Sequence, residues 1–143
     1  MTDIQYMQIA LREAQCAFDE GEVPVGAIVV CKNHIIARAH NLTETLNDVT
    51  AHAEMQAITA AANAIGGKYL TDCTLYVTVE PCVMCAGAIA WAQVSRVVFG
   101  AADEKRGYRR YAPEAMHPKN VVEEGVLADE PAALMKNFIK QKR

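Results

Sequence analysis

The sequence lacks several features that would assign it to a specialised class of protein. No apolar run approaches the roughly 20 residues of a membrane-spanning helix. The N-terminus, MTDIQYMQ, has no basic segment followed by an apolar one, as a secretory signal would. The 143 residues contain no internal repeat, linker or low-complexity segment. These absences predict a single cytoplasmic domain over residues 1–143, with no membrane association.

An overall positive charge is also absent. The formal net charge of −3 gives no indication of nucleic-acid binding by the chain as a whole. However, residues 1–103 carry 5 basic and 11 acidic side chains, whereas residues 104–143 carry 9 and 6. The basic C-terminal part is either a phosphate-binding face or an ordinary solvated surface, and charge alone favours the solvated surface.

The five cysteines are odd in number and occur without an export signal. Cys82 and Cys85 form a Cys-x-x-Cys pair, which in a reducing compartment is more often a metal or redox site than part of a disulfide framework. Cys16, Cys31 and Cys73 stand alone. We expect these three to be small buried hydrophobic residues.

The pattern of apolar residues predicts alternating helices and strands. A capping box at Thr2 and Gln5 begins a helix that ends near Gly21. A β-hairpin follows over residues 25–31 and 35–39. Further helices are expected at 51–64, 81–93 and 130–141 (with a basic end that includes Arg143), and strands at 74–79, 96–99 and 121–122. Residues 100–118 are expected to form a long irregular connection. This order predicts an α/β protein with helices on both faces of a partly parallel sheet.

Three potential metal ligands fall at predicted helix starts: His52 at one, Cys82 and Cys85 at another. Residues three apart share a helix face, so the two cysteines can bind one ion. One imidazole and two thiolates suit zinc, and three protein ligands leave a fourth position for water. Glu54 lies about 200° around an ideal helix from His52. It is therefore not expected to bind the ion, but it could face the bound water as a proton acceptor.

Other interpretations remain open for these residues. A lone His-x-Glu is usually a surface pair, and a lone Cys-x-x-Cys could be a redox pair. His34, His40 or Cys73 could supply a fourth ligand and make the zinc site structural.

The segments His52-Ala53-Glu54 and Pro81-Cys82-Val83-Met84-Cys85 together resemble the signature of the zinc-dependent cytidine and adenosine deaminases. Within that superfamily the chain is most similar to the bacterial tRNA-specific adenosine deaminases. Further matching segments are residues 22–27, 50–54, 75–78, 80–87, 96–101, 103–107 and 127–130. The resemblance implies a three-layer α/β/α cytidine-deaminase-like fold with a central mixed sheet of about five strands, one Zn²⁺ per subunit and a homodimer.

The resemblance also implies a reaction, which is the one known for that superfamily. Glu54 deprotonates a zinc-bound water, the hydroxide attacks C6 of adenosine, and Glu54 then protonates N1 and the departing amine to give inosine. The base-anchoring asparagine of the family falls on Asn41, and Val25, Ala53 and Pro81 would form walls of the base pocket. Without the resemblance, Asn41 would be interpreted as a turn-capping residue.

The implied partner is a tRNA anticodon stem-loop, whose wobble adenosine must be held with its base splayed out. Residues 105–111, KRGYRRY, combine two aromatic side chains with four cations suited to phosphates: Lys105, Arg106, Arg109 and Arg110. The family typically has small residues after Gly107, so the sequence departs from its pattern at residues 108–111.

Two alternatives to a tRNA enzyme follow from the same residues. The first is a deaminase of a free nucleobase, guanine or cytosine, because residues 87–92 are somewhat similar to the third helix of guanine deaminases. The second is a zinc-stabilised binding module, in which Glu54 would be dispensable. Met84, Ala88 and Trp91 are either dimer-interface or core residues, and a tryptophan on a helix is more often core.

Overall fold

The computed structural model describes residues 1–142, so Arg143 at the basic end of the last helix lies outside the described residues. The helices are Asp3–Asp19 (α1), Ala53–Ile65 (α2), Val83–Ala92 (α3), Tyr108–Tyr111 (α4) and Asp129–Gln141 (α5). The strands are Gly26–Cys31 (β1), His34–His40 (β2), Cys73–Val79 (β3), Arg96–Ala101 (β4) and Val121–Glu123 (β5). None of the helices in this described part has the length and apolar character needed to cross a bilayer.

The five strands form one mixed sheet in the order β2-β1-β3-β4-β5. Strand β1 pairs antiparallel with β2 and with β3, whereas β3, β4 and β5 run parallel. Parallel neighbours need a long connection that returns the chain to the same end of the sheet: α3 joins β3 to β4, and residues 102–120 with the single turn of α4 join β4 to β5. This arrangement confirms the predicted partly parallel sheet that begins with an antiparallel hairpin.

Each face of the sheet has its own apolar core, which makes three layers. Helices α2 and α3 cover one face, with Ala57, Ala61 and Ile89 packed against inward residues of β1, β3 and β4. Helix α1 covers the other face, with Tyr6, Met7 and Ala10 in contact with the sheet. The approach of α1 to β1 is close: a Cβ on Gly26 would lie 2.1 Å from the carbonyl oxygen of Ala10. Only glycine fits there without moving the helix.

The expectation that the three single cysteines are buried is confirmed for Cys73 but wrong for Cys31, which is half-buried, and for Cys16. Cys16 is exposed, because the buried stripe of α1 runs through Ala10, Ala14 and Ala17 and leaves Cys16 on the outer face. For Trp91 the sequence left interface and core open; the residue is exposed, at 84%, since α3 turns Ile89 and Ala92 towards the sheet. The expected irregular connection over residues 100–118 contains the short helix α4, whose single turn is too short to give a periodic pattern.

Candidate active site

The candidate site lies beside the carboxyl end of β3, where the N-termini of α2 and α3 meet. His52 and Cys82 are the N-cap residues of these helices, and both have extended backbone. Because the backbone of an N-cap residue is not helical, its side chain projects from the end of the helix and does not lie along a helix face. Cys85 lies within the first turn of α3 and is fully buried. Three ligand-type side chains from two helix starts therefore converge on one point.

The spacing of these three side chains fits a metal ion. The Nδ1 atom of His52 lies 3.6 Å from Sγ of Cys82 and 3.5 Å from Sγ of Cys85. All three ligand atoms are within 4.8 Å of one another. In tetrahedral zinc, bonds of about 2.0–2.1 Å to nitrogen and about 2.3 Å to sulfur separate the two ligand atoms by about 3.5–3.6 Å. The three residues can thus hold a metal without rearrangement.

No fourth His, Cys, Asp or Glu joins this cluster among residues 1–142. Of the three alternatives considered from the sequence, His40 is bonded to two glutamates elsewhere, and neither His34 nor Cys73 belongs to the group. A four-ligand structural site is therefore not supported in the described part of the chain. The three-ligand set leaves one tetrahedral position open, as catalytic zinc sites do.

The charges around the cluster favour a thiolate. A hydrogen bond from the Cys85 thiol, with help from His52, lowers the pKa of Cys82 to about 4. The same hydrogen bond, together with burial, raises the pKa of Cys85. Cys82 is therefore a thiolate, and Cys85 carries the proton of the hydrogen bond between them. A metal ion would displace that proton, because metal ligands must be deprotonated.

Glu54 is the carboxylate of the site. It is only 4% exposed, and burial raises its pKa to about 7. It lines the same cavity as His52 and Cys82. Ideal helix geometry does not relate Glu54 to His52, because His52 is the extended N-cap and only Glu54 lies in the first turn. A buried carboxyl with a pKa near neutrality is suited to both accept and donate a proton.

The cavity has a volume of about 460 Å³, enough for a nucleobase. Of the residues predicted to contact substrate, Val25, Asn41, Ala53 and Arg106 line it. Pro81 is buried directly before Cys82 and is not part of the lining. The lining also includes residues that sequence reasoning missed, among them Thr43, Asn47 and Val49 from the loop after β2, Asp103 after β4 and Met135 from α5.

Comparisons with known proteins agree with this geometry. A model of the MafB19-like deaminase family matches residues 1–143. The tRNA-specific adenosine deaminase of Bacillus subtilis is 44% identical over 146 aligned residues, which cover 99% of this chain and 91% of the relative. The chain belongs to the deaminase family that includes this enzyme. Family membership and the shared three-layer architecture confirm the predicted cytidine-deaminase-like fold.

Two solved structures of the family are similar to this deaminase chain. One comes from work on A-to-I editing by tRNA:A34 deaminases at the wobble position of transfer RNA. It is 41% identical, covers 91% of this chain and 98% of its own, and has a TM-score of 0.86. The other is the guanine deaminase of Bacillus subtilis, 33% identical, covering 99% of this chain and 76% of its own, with a TM-score of 0.64.

In this deaminase, the buried carboxylate of Glu22 fixes Asn41 at the end of β2. Glu22 is fully buried, and its Oε1 accepts a hydrogen bond of 3.2 Å from Nδ2 of Asn41. It also accepts from the backbone N–H groups of Glu44 and Thr45 and from the Thr45 hydroxyl. These donors lower the pKa of Glu22 despite its burial, so it is an ionised acceptor. Only the NH₂ side of the Asn41 amide can face such a group.

His40, directly before Asn41, joins the hairpin to α1. Its two ring nitrogens lie 2.9 Å from Glu13 and 2.8 Å from Glu20, and Arg38 also pairs with Glu13. Burial lowers the pKa of His40, but the hydrogen bonds to the two carboxylates outweigh burial and raise it.

We therefore expect the deaminase to lose stability as the pH rises through the raised pKa of His40. A raised folded-state pKa stabilises the protein fully below the ordinary value of 6.5 and no longer does so above the raised value. Urea unfolding at about pH 5.5 and about pH 8.5 measures the change. The His40→Gln variant should show a smaller decrease, whereas an equal decrease in both proteins would contradict this role.

The four cations of residues 105–110 differ in their surroundings. Lys105, Arg106 and Arg110 are exposed, and Arg106 also borders the cavity. Arg109 is partly buried and pairs with the carboxylates of Glu80 and Glu124. The cations of this segment therefore do not form one uniform basic surface.

Proposed function

We propose that this protein hydrolytically deaminates the wobble adenosine of a tRNA anticodon loop to inosine, as a single cytoplasmic deaminase domain with one zinc ion per subunit. The observation that carries the proposal is the open three-ligand cluster beside the buried Glu54, in a chain 44% identical to a tRNA-specific adenosine deaminase. The reaction replaces the C6 amine of the purine by an oxygen from water.

Zinc held by His52, Cys82 and Cys85 would supply a water of lowered pKa at its fourth position. Glu54 takes a proton from the attacking water as the oxygen bonds to C6, and passes that proton to N1 of the base. It then takes the remaining hydroxyl proton and delivers it to the amine, which leaves as ammonia. Both transfers use the same carboxyl, and a pKa of about 7 allows it to act in either direction near neutral pH.

The base would be held by the cavity walls. Val25 and Ala53 provide apolar surface, and Asn41 provides a polar group that fixes the orientation of the purine. Pro81 contributes by setting the turn that leads into Cys82. Glu22 holds the Asn41 amide in one orientation, so Asn41 is presented to the base without loss of side-chain entropy on binding.

We expect Asn41→Ala to reduce kcat/KM by about 10²-fold, because a hydrogen bond to the base and the orientation that it gives are both lost. The melting temperature should decrease by only a few degrees, since Glu22 keeps its other donors. Steady-state kinetics and thermal unfolding measure the two effects. Asn63→Ala, on the exposed face of α2, is the matched control. A large decrease in melting temperature with unchanged kcat/KM would make Asn41 a structural turn residue.

The exposed cations Lys105, Arg106 and Arg110 support an RNA substrate. Arg106 borders the cavity, and Lys105 and Arg110 lie in the same short segment, so we expect the three to contact phosphates around a splayed-out base. We further propose a homodimer that uses the outer face of α3. The support for it is the exposure of Val83, Met84 and Trp91 on that face, at 40%, 37% and 84%.

A competition between substrates tests the proposal. Zinc-loaded protein receives an anticodon stem-loop with a wobble adenosine together with free guanine, cytosine and adenosine, and Glu54→Ala serves as the inactive control. Inosine in the RNA alone is the expected result. Ammonia from guanine alone would instead favour the second candidate, a free-base deaminase, for which the 33% identity to a guanine deaminase is the supporting observation. If no substrate is converted, the remaining candidate is a zinc-stabilised binding module without enzymatic activity.

A further inference from the structure

The side chain of Arg109 is partly buried and pairs with two carboxylates, unlike those of its exposed basic neighbours. Its Nη2 atom lies 3.0 Å from Oε1 of Glu80, and its other terminal nitrogen contacts the carboxylate of Glu124. The guanidinium carbon lies 5.0 Å from the ring centroid of Phe99, which is in the apolar core.

Glu80, the partner of Arg109, is buried inside the loop of residues 103–109. It is 6% exposed and accepts hydrogen bonds from the backbone N–H groups of Asp103, at 3.1 Å, and Arg109, at 3.2 Å. A Cβ on Gly107 would lie 2.2 Å from Oε2 of Glu80, so the loop passes over the carboxylate at a position where only glycine fits. The Glu80 carboxylate therefore joins the two ends of the loop.

The same loop is joined to the turn that carries a metal ligand. The backbone N–H of Tyr108 donates to the carbonyl of Pro81 at 2.9 Å, and Gly107 forms a β-bridge with Cys82. The loop also contributes Asp103 and Arg106 to the cavity wall. The positions of the cavity wall and of the turn at Pro81 and Cys82 thus depend on the contacts that Glu80 makes.

Arg109 is the only side-chain cation that pairs with Glu80 in the described part of the chain. A buried carboxylate that loses its cation is destabilised, and either protonation or movement towards water relieves it. Both outcomes weaken the hydrogen bonds from the loop, because these bonds are strongest to an ionised acceptor. A substitution of Arg109 should therefore displace the cavity-wall residues of the loop, because it weakens the hydrogen bonds between Glu80 and the loop.

We propose that Arg109 is a positioning residue that, through Glu80, holds the loop of residues 103–107 and its Arg106 in the cavity wall beside Cys82. It acts on catalysis through this loop and makes no contact with RNA phosphate. The catalytic part of this inference rests on the proposed function, whereas the loop part does not. The residue next to it, Arg110, is exposed and is the expected phosphate contact.

Amide hydrogen exchange tests the loop part without reference to activity. In Arg109→Ala, the backbone amides at positions 103 and 109, which donate to Glu80 in the wild type, should exchange at least about tenfold faster. Arg110→Ala is the matched control, since it removes the same side chain one position later. Its bond to this loop, from Nη1 to the Glu104 carbonyl at 3.3 Å, does not involve the two amides, so their exchange should equal that of the wild type. Equal protection in the wild type and Arg109→Ala would overturn the proposal.

Kinetics and salt dependence with the anticodon stem-loop test the catalytic part. Arg109→Ala should lower kcat about tenfold and leave the slope of log Kd against log salt unchanged. Arg110→Ala should raise KM and reduce that slope by about 0.7–0.9, the contribution of one phosphate contact. Arg109→Lys, which retains a charge but not the planar fork, should restore part of kcat.

The outcomes separate the possible failures. A reduced salt slope in Arg109→Ala would make Arg109 an RNA contact and overturn the proposal. A lower melting temperature with unchanged kcat would make it a purely structural residue and also overturn it. If wild-type protein does not convert the RNA, the proposed function fails, while faster exchange in Arg109→Ala would still support the role of Arg109 in the loop.

Discussion

Replacing Glu54 by glutamine is expected to lower kcat by about 10²–10⁴-fold, the range that a positioned general acid–base contributes. Glutamine has nearly the shape of glutamate, so the packing around this 4% exposed side chain is kept. An amide cannot take a proton from water and return it to N1 and to the amine. Burial raises the pKa of Glu54 to about 7, so the site already disfavours a charged side chain. The uncharged glutamine variant should therefore fold as well as the wild type.

Ammonia release from an anticodon stem-loop, together with the zinc content and melting temperature of the same preparation, measures this effect. Glu114→Gln, the same chemical change at an exposed position, is the matched control and should keep wild-type turnover. Full zinc content with lost turnover is the expected combination for Glu54→Gln. Retained turnover would remove Glu54 from the mechanism, and lost zinc would assign it to the metal site.

Replacing Cys85 by serine is expected to reduce the zinc content from one ion per chain to nearly none and to abolish turnover. Serine fits the space of this fully buried thiol, but its hydroxyl is a far poorer zinc ligand than a thiolate. Only His52 and Cys82 of the three-residue cluster would remain, whereas catalytic zinc sites have three protein ligands. Because bound metal stabilises the folded state, the melting temperature of the variant should also stop responding to added zinc.

Cys73→Ser provides the matched control for this change. Cys73 is 1% exposed, like Cys85, but it lies at the start of β3 and outside the ligand cluster. The control should bind one zinc per chain and remain active. Zinc binding by Cys85→Ser with wild-type affinity would show that the cluster does not hold the ion.

The parts of the site that the sequence predicts are those governed by short-range rules. His52 and Cys82 lie at helix starts, where proline and capping patterns locate an N-cap within a residue or two. Asn41 follows a strand whose alternation is visible in the sequence. The relation of Glu54 to His52 was harder to predict, since an ideal helix separates them and only the extended N-cap brings both to one cavity.

The remaining parts depend on contacts between distant segments, for which one sequence contains no periodic signal. Met135 reaches the cavity from the last helix, almost a hundred residues after Asn41. Arg109 pairs with the buried Glu80, and a run of basic residues gives no indication of which of them pairs with a carboxylate. The sequence left Trp91 open between core and interface, and only the packing of α3 through its small residues shows that the indole is exposed.

The exposure of Trp91 gives this protein a built-in optical reporter. The chain has a single tryptophan, so its intrinsic tryptophan emission comes entirely from the outer face of α3. Binding of nucleobases in the cavity would leave the surroundings of this indole unchanged, whereas a protein surface that covers α3 would shift the emission to shorter wavelength. Dilution followed by tryptophan fluorescence can therefore follow subunit association separately from substrate binding, in the unlabelled wild-type chain.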